Sequence, residues 1–268
     1  YKGKIIGDFS KIDDWTDIIG DSNIILHFSS RVHKKMKNIN YSKIDYDADT
    51  IITLKLAKNA AKLGVKKFIF LSSIGVNGQI SAQKFNRNSK YLPFSQYTNS
   101  KRNTEVKLLE LQNNTNMEIV IVRSPLIYGK NAPGTFNLLY KALINNFPIP
   151  FGNIKDNKRS YISINNLTDF ILFIILRNEK TNGIYLVSDN HDISTYDFMK
   201  MLKSKARSKS YIFWFPKFFL KLIFKIIRKE NWISSTMGSL EIDCEETMNE
   251  LGWKPPYDLE NEIKNIFF

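Results

Sequence analysis

The chain has a single cysteine, Cys244, among its 268 residues. It therefore excludes an internal disulfide framework and fits a reducing, cytoplasmic setting. Histidine is almost as scarce: His27, His33 and His191 are scattered, and with one cysteine they form no cluster of metal-ligand spacing, so no structural metal is expected. Long apolar runs are missing too. No stretch reaches the ~18 uncharged apolar residues of a membrane span, and no signal-peptide pattern is found. No Pro/Gly/Ser-rich linker or internal repeat divides the chain. Acidic residues are outnumbered, 26 against 39 Lys and Arg, for a net charge of +13. Such an excess suits nucleic acid or an anionic membrane. The basic residues read as spread along the chain without a repeated basic-aromatic motif, so no nucleic-acid partner is expected. The charge is taken as compositional, with the secondary benefit of drawing in an anionic diphosphate substrate.

What is present is 43% hydrophobic residues, ample for one large domain or one domain with a smaller appendage. The stretch from Phe68 to Lys101 carries the chemistry. Phe68-Ile69-Phe70-Leu71 reads as a short buried strand ending in Ser72-Ser73, and after a polar loop comes Tyr97-Thr98-Asn99-Ser100-Lys101. The good helix formers of Lys101 to Leu111 predict a helix over Asn99 to Leu111, with Tyr97 at its entry and Lys101 one turn on, on the same side. A phenol is a poor base at neutral pH, and a neighbouring ammonium favours its phenolate. Bringing its pKa from about 10 to near 7 takes roughly 4 kcal/mol of differential stabilisation. Tyr-x-x-x-Lys alone is weak evidence, because Tyr196 and Lys200 repeat the spacing. That second pair follows no serine-bearing strand and reads as an ordinary amphipathic helix, with Ser194 as cap and Phe198, Met199 and Leu202 facing inward.

Along the rest of the chain, strands are expected at Lys4 to Asp8, Asn23 to Ser30, Glu118 to Val122 and Ile184 to Val187. Helices are expected around Asp13 to Gly20, over Asp49 to Leu63 and over Asn165 to Leu176. Strands alternating with helices point to a parallel sheet with crossovers. His27 is read as a satisfied strand-end histidine. Phe213 to Arg228 is aromatic and basic, with Lys217, Lys221 and Lys225 at i, i+4 and i+8. The first reading is a core-facing lid helix; the alternative is peripheral membrane contact through 213–228.

Three segments in order, Phe68 to Gly78, Tyr97-x-x-x-Lys101 and Val122-Arg123-Ser124-Pro125-Leu126-Ile127-Tyr128-Gly129, resemble the extended short-chain dehydrogenases, the NAD-dependent epimerase/dehydratase family. Within it the chain is most similar to bacterial sugar-nucleotide C4 epimerases and 4-ketoreductases of surface-polysaccharide pathways. The resemblance implies an α/β fold: a doubly wound parallel Rossmann-type sheet with a smaller α+β substrate lobe, divided here as residues 1–150 and 151–268. It implies Ser73, Tyr97 and Lys101 as catalytic residues. NAD, with NADP as an alternative, would be held by Asp8, Phe28, Ser29, Ser30, Tyr97, Lys101 and Leu126. A nucleotide-sugar substrate would meet Ser73, Asn137, Phe151 and Arg159, although Phe151 reads equally as a core residue. A homodimer through the Tyr97 helix and its neighbour is also implied.

Two departures from the family pattern matter. The Gly-x-x-Gly-x-x-Gly turn on which relatives seat the cofactor pyrophosphate has no counterpart, and the expectation is a fragment lacking roughly fifty amino-terminal residues, the first βαβ unit. Where dehydratases carry an acidic pair beside the serine, this chain has Ile74-Gly75. Neither residue can move a proton, which disfavours dehydration. The reactions left need one hydride and one proton: epimerisation at C4 of a UDP-hexose, or reduction of a 4-keto sugar. The alternative of another class is a non-catalytic dinucleotide-binding subunit.

Overall fold

A computed structural model describes residues 12, 14–28, 43–132, 134–226 and 231–267. Asp8, Ser29, Ser30 and the strand expected at Lys4 lie outside them. In chain order the elements are α1 (Thr16–Ile19), β1 (Ile24–His27), α2 (Lys43–Lys62), β2 (Lys67–Ser73), α3 (Gln96–Gln112), β3 (Glu118–Ser124), β4 (Leu126–Tyr128), α4 (Thr135–Ile144), β5 (Tyr161–Ser163), α5 (Ile164–Leu176), β6 (Gly183–Leu186), α6 (Thr195–Lys205), α7 (Lys217–Ile226), α8 (Asn231–Met237), α9 (Glu245–Leu251) and α10 (Leu259–Ile266). The helix expected over 13–20 is a single turn, because Gly20 takes a positive φ of 49° directly after it.

The chain divides into two compact units, each assembled from separate stretches. The first contains residues 1–76, 91–123 and 175–185; the second contains 77–90, 124–174 and 186–268. The sequence reading divided the chain at 150, with a later return to the sheet; the two units first part at 76–77. The reason is that a strand of the sheet and the loop that follows it serve different cores.

The first unit is built on the sheet β1-β2-β3-β6. β1 runs parallel to β2, from Ile24 opposite Lys67 to His27 opposite Phe70. Strands covered on both faces read as unbroken apolar runs, and Phe68, Ile69, Phe70, Ile119, Val120, Ile121 and Val122 are all buried. One core joins Trp15 and Ile19 to Leu56, Ala57 and Ala60 of α2, Leu108 of α3, and Phe68 and Phe70 of β2. Polar bonds add to the join between α2 and α3: Thr104 donates to the Thr50 hydroxyl at 3.0 Å, and Thr50 bonds to the Ser100 carbonyl at 3.2 Å.

The second unit pairs β4 with β5 in parallel, Leu126 opposite Tyr161. Its core includes Tyr128, Phe136, Phe151, Tyr161, Phe198, Leu220, Phe224 and Ile263, with Tyr161 stacked on Phe198 at 4.1 Å between ring centres. Gly152 has a reason of its own: a Cβ there would lie 2.6 Å from the Phe213 main chain, which bonds back to it at 2.9 Å. The polar loop after β2 pairs with 239–243, through Phe85 N–H to Glu241 O at 2.9 Å and Asp243 N–H to Phe85 O at 2.8 Å. The second Tyr-x-x-x-Lys pentad lies on α6 as expected, capped by Ser194 accepting from Asp197 N–H, with Phe198, Met199 and Leu202 buried.

The helix expected within 213–228 faces the core along one narrow seam. Helix α7 spans Lys217–Ile226, and only Leu220 and Phe224 of it are buried. Apolar composition alone could not show which side of the helix the core would take.

Candidate active site

The site is assembled where β2 hands the chain to α3. Ser73 is the last residue of β2, partly exposed, and its Oγ accepts the Gly75 N–H at 3.1 Å. Helix α3 opens with a capping box: the Ser95 hydroxyl accepts Thr98 N–H, and the Thr98 hydroxyl accepts Ser95 N–H at 3.0 Å. This reciprocal cap fixes the first turn, and Tyr97 lies within it, half-buried, with Lys101 one turn further along the same side.

Lys101 is 6% exposed. It donates to the Leu71 carbonyl at 2.8 Å, and its Nζ lies 4.4 Å from the Phe70 ring centre and 5.9 Å from that of Tyr97. The ammonium is thus tied to the serine strand while facing the phenol. Burial lowers its pKa to about 8, against the pull of Asp49 and Glu105 in the other direction. Asp49, Thr53, Tyr97, Ser100, Lys101 and Thr104 line one small cleft with Phe70.

Asp49 is the residue the sequence reading passed over. It was not counted among the site residues. The signal lay in helical spacing: the Thr53 hydroxyl donates to the Asp49 carbonyl at 2.8 Å and meets His27 Nε2 at 2.9 Å, so 49, 53 and the end of β1 share one side. His27 is the satisfied strand-end histidine expected. Burial, then the Lys101 charge, pushes its pKa down to about 4, and it stacks between Phe68 and Phe70 with ring centres 6.0 Å apart from each.

Behind the site is a buried ionic knot. Glu105, one turn beyond Lys101, is fully buried and pairs with the equally buried Arg123, Oε2 to Nη2 at 2.7 Å. Ser72 donates to the same carboxylate, as does the Tyr91 hydroxyl at 2.9 Å. Desolvation, with Glu105 adding to it, raises the Tyr91 pKa to about 12. Four side chains from β2, the loop, α3 and β3 therefore fix where Ser73 and Tyr97 stand.

Gly75 is closely packed. A Cβ there would lie 2.8 Å from Thr98 Cγ2 on α3 and 3.3 Å from Ser73 Oγ, and Ile74 is buried. A side chain at position 75 would therefore require Thr98 to shift.

The remaining sequence-predicted residues are placed as follows. Phe28 directly follows β1 and is 46% exposed. Leu126 opens β4 and packs partly buried against the core of the second unit. Asn137, in the first turn of α4, lines a shallow depression with Gly129, Lys130, Asn131 and Tyr140. Phe151 is a core residue, the reading left open for it. Arg159 is buried, and its Nη1 donates to the carbonyls of Gly238 and Ser234 at 2.7 and 3.2 Å. Ser73, Tyr97 and Lys101 are brought together within one unit; Asn137, Phe151 and Arg159 have separate surroundings in the other.

Lys101 yields a pH test. Its folded pKa is depressed relative to the unfolded 10.5, so between pH 8 and 10.5 the unfolded chain binds more protons and stability rises with pH. Compared with Lys101→Met, the parent should gain on the order of 3 kcal/mol across that window, read as converging melting temperatures. Equal pH dependence in the two proteins would refute the buried ammonium.

The model of the NAD-dependent epimerase/dehydratase family matches residues 4–188. A UDP-glucose 4-epimerase of Vibrio cholerae is 33% identical over 262 residues, covering 97% of this chain and 80% of the relative. A dTDP-4-dehydro-6-deoxyglucose reductase of Escherichia coli is 22% identical over 275 residues, 99% of this chain and 81% of the relative. The same fold occurs in a UDP-glucuronic acid 4-epimerase from Bacillus cereus, solved in complex with NAD, at a TM-score of 0.77 and 16% identity over 97% of this chain and 78% of that one.

Proposed function

Because this chain belongs to the NAD-dependent epimerase/dehydratase family, we propose that it is a nucleotide-sugar 4-epimerase acting on a UDP-hexose by reversible hydride transfer at C4. The observation that carries this reading is Tyr97 and Lys101 on one face of α3 at the end of the serine strand, beside a closely packed glycine that supplies no acid or base.

The residues present fit the nicotinamide end of a dinucleotide. A buried ammonium held by one carbonyl suits the hydroxyls of a ribose, and it stands beside a half-buried phenol at the carboxyl end of a parallel strand, where open α/β sheets bind such ligands. Lys101 and Tyr97 would hold it, with Phe28 beyond the end of β1. When bound, nicotinamide supplies the hydride acceptor and donor. Tyr97 takes the proton of the C4 hydroxyl and returns it. Lys101 favours the phenolate by its charge, and Ser73 holds the same sugar oxygen. Ile74 and Gly75 supply no acid or base, so water is not eliminated.

The same three residues also suffice for reduction of a 4-keto sugar, and the reductase relative of Escherichia coli matches nearly the whole chain. The test incubates the protein with UDP-glucose, UDP-GlcNAc and a UDP-4-keto-6-deoxy sugar, following NAD(P)H absorbance and sugar chromatography. Interconversion of UDP-hexoses without net change in NADH is the expected result. Stoichiometric NAD(P)H consumption with the keto sugar would establish the reductase. Cofactor binding without either reaction would establish a non-catalytic subunit.

A further inference from the structure

Helix α7 directs its larger apolar surface away from the core it packs on. Leu220 and Phe224 mark the buried seam. At roughly 100° per residue, Phe218, Phe219, Leu222, Ile223 and Ile226 fall on the opposite side, where they are 44–71% exposed. Trp214, just ahead of the helix, is 64% exposed. Lys217, Lys221 and Lys225 form a row between the seam and that outer face; Lys221 and Lys225 are exposed, and Lys217 reaches Asp156 at 3.2 Å.

Along the chain the charge leading into and through this helix is of one sign. From Asp197 to Glu230 the chain has ten Lys and Arg and no acidic residue between. The basic excess is therefore concentrated here, contrary to the even spread read from the sequence. Contiguous exposed apolar surface of this kind marks an interaction site, and its basic margin selects the occupant. A second copy docking face to face would bring the same lysine row against itself. An anionic bilayer offers phosphates to the lysines and an acyl boundary to the aromatic and aliphatic side chains. Ten residues are too few to cross a membrane, so the helix lies in the surface plane.

We propose that α7, with Trp214, docks the protein on an anionic lipid bilayer, its outer face buried at the headgroup boundary and its lysine row on the lipid phosphates. This rests on the surface of the second unit and is independent of the epimerase reading.

The test sediments the full chain with vesicles of phosphatidylcholine alone or mixed with phosphatidylglycerol. Binding to the anionic vesicles, weakened by salt and small on the neutral ones, is expected. Lys221→Gln and Lys225→Gln should each lower partitioning about fivefold. Leu222→Ser with Ile226→Ser should abolish it while leaving circular dichroism unchanged, since both positions are exposed. Equal binding to neutral vesicles, or binding that survives the double serine variant, would overturn the proposal. A dimer in vesicle-free solution that the same double variant disperses would also overturn it, assigning the face to a second copy.

Discussion

Tyr97→Phe should lower UDP-hexose interconversion by about 10²- to 10⁴-fold, the range in which a positioned acid-base group contributes. The substitution removes one oxygen and keeps the ring near Lys101, so the circular dichroism spectrum and dinucleotide binding should remain close to those of the parent. Tyr196→Phe is the matched control. It has the same pentad spacing to Lys200, but it lies on α6 of the other unit, with Lys155 Nζ 4.8 Å from its ring centre. Its turnover should equal that of the parent. Chromatography of the sugar nucleotides reads both variants. A Tyr97→Phe protein retaining more than a tenth of the parental rate would remove the phenol from the mechanism.

Glu105→Gln should cost about 3–5 kcal/mol of stability, the cost of breaking a buried ion pair by removing one partner. Arg123 is 1% exposed and holds Glu105 through Nη2 at 2.7 Å and through Nε at 3.2 Å. With a neutral amide opposite, its charge would be buried without compensation. For a chain of this size the melting temperature should fall by roughly 10 °C. Glu105→Gln combined with Arg123→Met should recover part of that loss, because a buried pair replaced by apolar groups is often neutral. Activity should fall as well, since Ser72 bonds to this carboxylate and precedes Ser73 on β2. Thermal melts of the two variants and the parent decide the point. A single variant as stable as the parent would show that Arg123 is neutralised from elsewhere.

The elements legible in the sequence were those whose residues act locally. The Phe68 strand, the α3 start with Tyr97 and Lys101 one turn apart, and the capped α6 follow from periodicity and caps, which depend on neighbours within about four positions. Side-chain partners on other elements were not legible. Glu105 was not singled out in the sequence, and its partner Arg123 comes from β3. Asp49 was not counted in the site, and only the packing of α2 on α3 brings residues 49 and 101 into one cleft. Arg159 reads as a phosphate ligand by type, yet its environment puts its guanidinium on the carbonyls of Ser234 and Gly238.

Helix α7 shows the same division. The sequence by itself determined that 213–228 holds an amphipathic helix with a lysine row, because that is a matter of spacing along one chain; its bounds in the structure are Lys217–Ile226. Only the tertiary structure decided which side the core covers, and it covers the narrow seam of Leu220 and Phe224. For this protein, then, the sequence by itself determined the alternation of strand and helix and the local placing of Tyr97 and Lys101 one turn apart after the serine strand. The tertiary structure decided the ionic environment of those residues, the close packing at Gly75, and which apolar surface is left to solvent. The physical reason is that covalent order sets local geometry, whereas burial and charge pairing exist only once distant segments meet.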